Sequence, residues 1–270
     1  MRFDCDCHVH TKRSFCGENN VTIETLVGLM SKRGLKQFAV TDHSTHFYFD
    51  ANDPIWEPDF VLNSQRIAEN QDKAVNAMRK HLSLIHNFSK KGVLIGMEID
   101  VTFNGDLVIP PEIKDKLDIA VGSVHWLPGL SKENKPPLKK VVREFLDITS
   151  ILLEKDIDIL AHPTGIFEKN GLIVPKEVVD PIIKAAIANN VALEINAHHK
   201  NPDAFFVKRC LDKGAILSIG TDSHSLKDFG DFSYHKKILS ECGVNENDLK
   251  DILFSPTRRK EFSIGKRKDR

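Results

Sequence analysis

The chain has no excess charge of either sign, no long hydrophobic run, no compositional seam and no paired cysteine motif. Lys plus Arg and Asp plus Glu stand at 38 each, so the whole molecule presents no strong field to nucleic acid or a membrane. No apolar stretch is long enough to span a bilayer. The start, Met1-Arg2-Phe3-Asp4-Cys5-Asp6, is acidic where an export signal would be basic and then apolar. Cys5, Cys7, Cys16, Cys210 and Cys242 are odd in number and form no CxxC pair, so reduced thiols in a cytoplasm are the expectation. No Pro-, Gly- or Ser-rich stretch divides the 270 residues, and no repeat or low-complexity segment is present. One large domain over 1–256 is expected, followed by a basic tail over 257–270 that reads as solvated rather than nucleic-acid-binding.

What is present is an alternation of short apolar runs with helix-forming stretches, the pattern of repeated β-α units. Strands are predicted at 2–7, 37–41, 92–99, 117–124, 157–161, 191–196 and 215–220. They are rich in Val, Ile and Leu and mostly non-alternating, as strands covered on both faces should be. Helices are predicted at 22–33, opened by Thr22 and closed before Gly34, and at 63–91, 139–155, 175–190, 203–213, 234–242 and 246–253. Pro175 fits a first helical turn because its missing N–H has no partner to lose there. Seven such units predict a parallel β/α barrel, with a doubly wound open sheet as the alternative that strand count alone does not exclude.

The polar residues fall where those strands end. His8 and His10 follow the first strand, and Asp42 and His43 the second. Glu98 lies near the end of the third, His125 ends the fourth and His162 the fifth. Glu194 and Asn196 lie on the sixth, and Asp222 and His224 follow the seventh. In parallel β/α folds the carboxyl ends of the strands converge on one face, and active sites form there. In His8-Val9-His10, residues two apart on an extended chain point the same way, so both imidazoles can reach one cation. Asp222-Ser223-His224 repeats that spacing, and a carboxylate such as Glu98 can bridge two cations about 3.5–4 Å apart. Mixed His and carboxylate ligands suit Zn, Mn, Fe or Co better than Ca or Mg.

The strings HVHT, VTDHS, GMEID, GSVHW, LAHPT and GTDSH, in this order from Asp4 to about Ser225, resemble the ordered motifs of the polymerase and histidinol phosphatase (PHP) superfamily. The resemblance implies a distorted seven-stranded (β/α)7 barrel, TIM-barrel-like, with two to three divalent metal ions (Zn, Mn or Fe). It implies a first metal among His8, His10, Glu98 and Asp222, and a second bridged by Glu98 and held by His125 and His162. A third would be held by His43, His224 and a residue from the loop after HxH. Glu98, His125, Asp222 and His224 are the catalytic residues so implied. Where many members carry a further His in that loop, this chain has Cys16. Either its thiolate is a ligand, favouring Zn, or the third site is weak or empty.

Other residues carry blander expectations. Asp42 is expected to orient a neighbouring imidazole, and Glu194 and Asn196 to form a buried polar pair or similar support. His198 and His199 fit substrate contact or a solvated loop equally, and His46 can line the pocket. His81, His86 and His235 are assigned to structure, and Cys5 and Cys7 to the core. Lys132, Lys135, Lys139, Lys140, Arg143, Lys169 and Lys200 are candidate phosphate contacts.

The expected activity is hydrolysis of a small-molecule phosphomonoester, with histidinol phosphate in histidine biosynthesis as the specific substrate implied. Alternatives on the same site are a protein-tyrosine phosphatase, a nucleotide phosphatase or an exonuclease. The neutral charge and the missing nucleic-acid module argue against the last. A non-catalytic metal-binding domain would show lost ligands, and an amidohydrolase a different motif order. No membrane role is expected.

Overall fold

A computed structural model of the chain describes residues 1–257. The run 258–270, nearly all of the expected basic tail, lies outside the described residues. Seven parallel strands follow one another around the sheet in chain order: β1 (Cys5–Val9), β2 (Gln37–Val40), β3 (Val93–Asp100), β4 (Ile119–Ser123), β5 (Ile159–Leu160), β6 (Ala192–Asn196) and β7 (Leu217–Gly220). An open doubly wound sheet would reverse its strand order in the middle; this one does not. Instead β1 returns to the β7 side. His10 N donates to Ser223 O at 3.0 Å and Asp222 N to His8 O at 2.8 Å, closing the barrel at its carboxyl-end rim.

The closure is distorted. β5 pairs through two residues on each side, and the β1–β2 register slips between Asp6 and Val9. That slip carries β1 through His8, so His8 sits on the strand rather than after it. Such irregularities re-aim side chains next to functional sites.

Inside the barrel, one apolar cluster takes Cys7, Ala39, Leu94, Ile119, Val121 and Ile159, among others, from successive strands, with half-buried Cys5 packed against it. Side chains two apart on a strand share a face. From that apolar plug the same faces therefore continue upward into polar residues: Leu94 to Glu98 and Asp100, Val121 to Ser123 and His125, Ala192 to Glu194 and Asn196. The larger core lies between the strands and the outer helices, around Phe38, Leu82, Phe145 and Phe167.

The helices are α1 (Ile23–Met30), α2 (Pro58–Val61), α3 (Ser64–Glu69), α4 (Gln71–His86), α5 (Pro111–Lys114), α6 (Leu138–Leu153), α7 (Gly165–Lys169), α8 (Val179–Ala188), α9 (Ala204–Lys213), α10 (Ser233–Glu241) and α11 (Leu249–Ile252). Thr22 caps α1 by accepting from Thr25 N at 3.2 Å, and a 3-10 turn then ends at Gly34, whose φ of 76° is left-handed. The expected helix over 63–91 is broken. Asn63 caps α3, and Asn70 ends that helix and precedes α4. Pro175 precedes a 3-10 turn at Lys176–Val178, and α8 begins only after it, so the proline sits outside the first α-helical turn. Among the described residues, no helix is long and apolar enough to cross a membrane.

Gly220 at the end of β7 leaves room for the polar rim. A Cβ there would lie 1.9 Å from Glu194 Oε1 and 2.7 Å from His8 Cβ. Overpacking typically costs about 1–3 kcal/mol, so Gly220→Ala should destabilise the protein toward the upper end of that range. Urea unfolding measures it, and an unchanged midpoint would show that β7 and β6 can spread.

Candidate metal centre

The rim gathers seven of the nine expected ligands on or around one buried carboxylate. Glu98 Oε1 lies 3.2 Å from His125 Nε2 and 3.1 Å from His162 Nε2. Its other oxygen, Oε2, lies 3.5 Å from His8 Nε2, 3.4 Å from His10 Nε2 and 2.8 Å from His43 Nδ1. Asp222 Oδ1 approaches the same pair, 3.6 Å from His8 Nε2 and 3.0 Å from His10 Nε2. The remaining two, Cys16 and His224, form a group with His10 and His43 whose ligand atoms all lie within 4.8 Å of one another. The structure thus brings together every residue the resemblance implied, including the cysteine.

The hydrogen bonds behind these side chains decide which ring nitrogen faces inward. His8 Nδ1 lies 2.9 Å from Glu194 Oε1 and His125 Nδ1 2.6 Å from Asp100 Oδ1, so each carries its proton on Nδ1. His10 Nδ1 meets Ser14 Oγ at 3.1 Å, and Ser14 gives its own proton to Asp42 Oδ1 at 2.7 Å, so His10 follows the same rule. Their three Nε2 atoms therefore point at carboxylate oxygens. At 3.0–3.6 Å each of these contacts needs positive charge between nitrogen and oxygen, a proton or a metal cation. Glu98 Oε2 is also buried without a hydrogen-bond partner, as is His224 Nδ1. The donor set thus fits divalent metal ions, with His and carboxylate ligands suited to Zn, Mn or Fe and a thiol that favours Zn.

Electrostatics agree with this geometry. Burial alone would raise the Glu98 and Asp222 carboxyls, but the surrounding imidazoles, His43 and His125 on Glu98 and His8 and His10 on Asp222, hold both well below the usual range. Burial would lower His8, yet Glu194, Asp222 and Glu98 outweigh it and raise the imidazole. His10 goes the other way, down to about 3, through burial and the like charges of His224 and His43.

Two ligand positions sit in backbone that few L residues adopt: His162 has φ 28° and Asp222 φ 51°. Strain of this kind costs of order 1–3 kcal/mol and is retained where the surroundings fix the residue in place. His162 N donates to Glu194 Oε2 at 2.8 Å, and Asn196 Nδ2 joins Glu194 to Asp222. Glu194 and Asn196 are therefore the orienting support expected of them, and Asp42 acts on His10 through Ser14.

Three supports were not read from the sequence. Asp100 follows Glu98 by two on β3, so the strand period places it on the same face and was the available signal. Ser14 offers no signal beyond its loop. His199 reaches Asp222 Oδ2 at 3.5 Å and forms a fourth candidate group with His162 and Asp222. His81, assigned to structure, reaches in from α4 to 3.1 Å from Asp42 Oδ2.

Above the ligands lies a cleft of about 210 Å³ whose walls include His46, Trp56, Trp126, Ile166, Lys169 and His198. His46 accepts from Phe15 N at 3.1 Å, and burial with the nearby charge of His43 lowers its imidazole to about 2. Of the expected phosphate contacts, Lys169 alone lines this cleft among the described residues.

The PHP domain family profile matches residues 6–198. Among curated proteins, the DNA polymerase/3'-5' exonuclease PolX of Bacillus subtilis is 27% identical over 92% of this chain, which spans 40% of that protein's length. Probable phosphatases of Pectobacterium carotovorum and Aeromonas hydrophila are each 24% identical, covering 96% and 90% of this chain and 94% and 87% of their own. A solved HpcH/HpaI aldolase from Desulfitobacterium hafniense covers 89% of this chain and 94% of its own at 12% identity and a TM-score of 0.40, too loose a likeness to weigh here.

Cys16 offers a direct test of the third group. Burial would raise its thiol, but His224 and His43 overcome that and bring it down to about 7. Burial and neighbouring thiols or acids raise Cys5, Cys210 and Cys242 instead. In chelator-treated protein one thiol should therefore alkylate fast above about pH 7 and slowly below it, and Cys16→Ser should abolish that phase. Added Zn should protect it; alkylation indifferent to Zn would remove Cys16 from the ligand set.

Proposed function

The chain belongs to the PHP domain family, and from that premise we propose that it hydrolyses small-molecule phosphomonoesters, histidinol phosphate foremost, using two to three divalent metal ions. Family membership and the probable phosphatases among its relatives support a metal-dependent phosphoesterase in general. The observation that supports a multi-metal centre is Glu98, whose two oxygens face separate sets of imidazoles, as a carboxylate bridging two cations must. His8, His10, Glu98 and Asp222 would hold one ion, Glu98, His125 and His162 a second, and Cys16, His43 and His224 a third. Divalent cations bound there would acidify water, polarise a phosphoryl oxygen and offset charge on the leaving oxygen.

The chain's own residues do the rest. Glu194 and Asp100 keep protons on the outward Nδ1 atoms of His8 and His125, so that Nε2 stays a donor to the centre. The cleft, at about 210 Å³, has room for a small ester. A second reading comes from the Bacillus subtilis relative, whose name includes a 3'-5' exonuclease: the same centre acting on a nucleic-acid 3' end.

The test joins elemental analysis of purified protein with phosphate release from histidinol phosphate, phosphotyrosine, nucleoside monophosphates and a single-stranded oligonucleotide. The expected result is two to three metals per chain and preferential turnover of histidinol phosphate. Preference for the oligonucleotide would replace the substrate and keep the centre, and a metal-free, inactive protein would defeat both. Glu98→Ala should lose at least about 10²-fold in kcat, the scale of one electrostatic group at a reacting centre. Its near-UV circular dichroism should be retained, and near-normal turnover would refute the bridging role.

A further inference from the structure

Lys169 closes α7, a helix that starts three residues after His162, so the strained turn that aims His162 into the centre also sets α7 across the cleft mouth. Its Nζ donates to the His125 carbonyl at 3.3 Å and stands 5.0 Å from the centre of the Trp126 ring. One dipeptide, His125-Trp126, thus seats the ammonium with its backbone and its ring face. No carboxylate pairs with Lys169 among the described residues, and two of its three N–H donors remain beyond the one used on the carbonyl.

A cation held this way does not serve a structural ion pair. The cleft floor carries Asp222 with Glu98 beneath it, carboxylates that would repel a phosphate dianion, and Lys169 is the one Lys or Arg side chain lining that cleft among the described residues. We propose that Lys169 is a specificity-determining residue that receives a non-bridging oxygen of a terminal phosphate, favouring phosphomonoesters over diesters, whose phosphate carries one charge fewer. This rests on the phosphoesterase reading above, but the anion-binding role can be measured apart from turnover. An ammonium on a flexible stem grips phosphate as a point charge. Its loss removes a charge-assisted hydrogen bond without emptying the metal centre.

The experiment uses the full chain in a Trp56→Phe background. The sequence has two tryptophans, so Trp126, beneath Lys169, becomes the sole fluorescent reporter. Inorganic phosphate is titrated into Zn- or Mn-loaded protein, read by Trp126 emission and by calorimetry, with metal content checked by elemental analysis. Lys169→Met should weaken phosphate binding about tenfold or more at unchanged metal content, and Lys169→Arg, which keeps the charge, should restore most of it. For a monoester, Lys169→Met should act mainly through KM, and the preference over the matching diester should shrink. Phosphate affinity within about twofold of the parent overturns the proposal, whatever the activity. If binding falls as expected while the parent protein turns over no phosphoester, the phosphatase reading fails and the Lys169 anion site stands.

Discussion

Glu98 places a carboxylate where water cannot reach it, 1% exposed at the centre of the barrel mouth. An ionised group taken out of water costs several kcal/mol even after the protein relaxes, and only close opposite charge offsets that. Five imidazoles converge on its two oxygens, and the rest of the rim can be understood as the means of putting them there. Three of those rings are fixed by a partner behind them: Glu194 on His8, Ser14 on His10 and Asp100 on His125. The rim is a set of nested constraints, in which imidazoles are held by acids and the acids by backbone.

That nesting explains the location of the unusual backbone. The slip in β1 at His8, the left-handed His162 and Asp222, and the absence of a side chain at Gly220 all lie within the few residues that build the rim. The apolar half of the barrel below carries no such features at Ala39, Leu94, Ile119 and Val121. A regular strand cannot aim both Cys7 and its neighbour His8 into the barrel, since adjacent side chains point to opposite faces. The register irregularity resolves that conflict locally, and Thr41 repairs the disturbed ladder by accepting from Val9 N at 3.0 Å through its hydroxyl.

Much of this was legible because strand periodicity is a local property. The polar residues that end each strand, the cap at Thr22 and the place of Cys16 in the loop after His10 could all be read from spacing, chemistry and resemblance. Asp100, two residues past Glu98, was missed although the same period-two rule would have found it. The broken helix over 63–91 and the short β5 were harder, since both depend on packing against distant elements more than on local propensity.

By itself the sequence determined that seven apolar strands end in ligand-type residues, and hence that metal chemistry at one rim was the economical reading. Only the tertiary structure decided that the sheet closes, through bonds joining β1 to the segment after β7. Asp6 and Thr221 show why: they are 215 residues apart, and their 2.6 Å hydrogen bond exists only once the first and last strands lie side by side. The same closure chose which atoms meet, bringing Ser14 behind His10, His81 to Asp42, His199 to Asp222 and Lys169 over Trp126. Contacts of that kind depend on the path of the whole chain in space, and no local pattern encodes them.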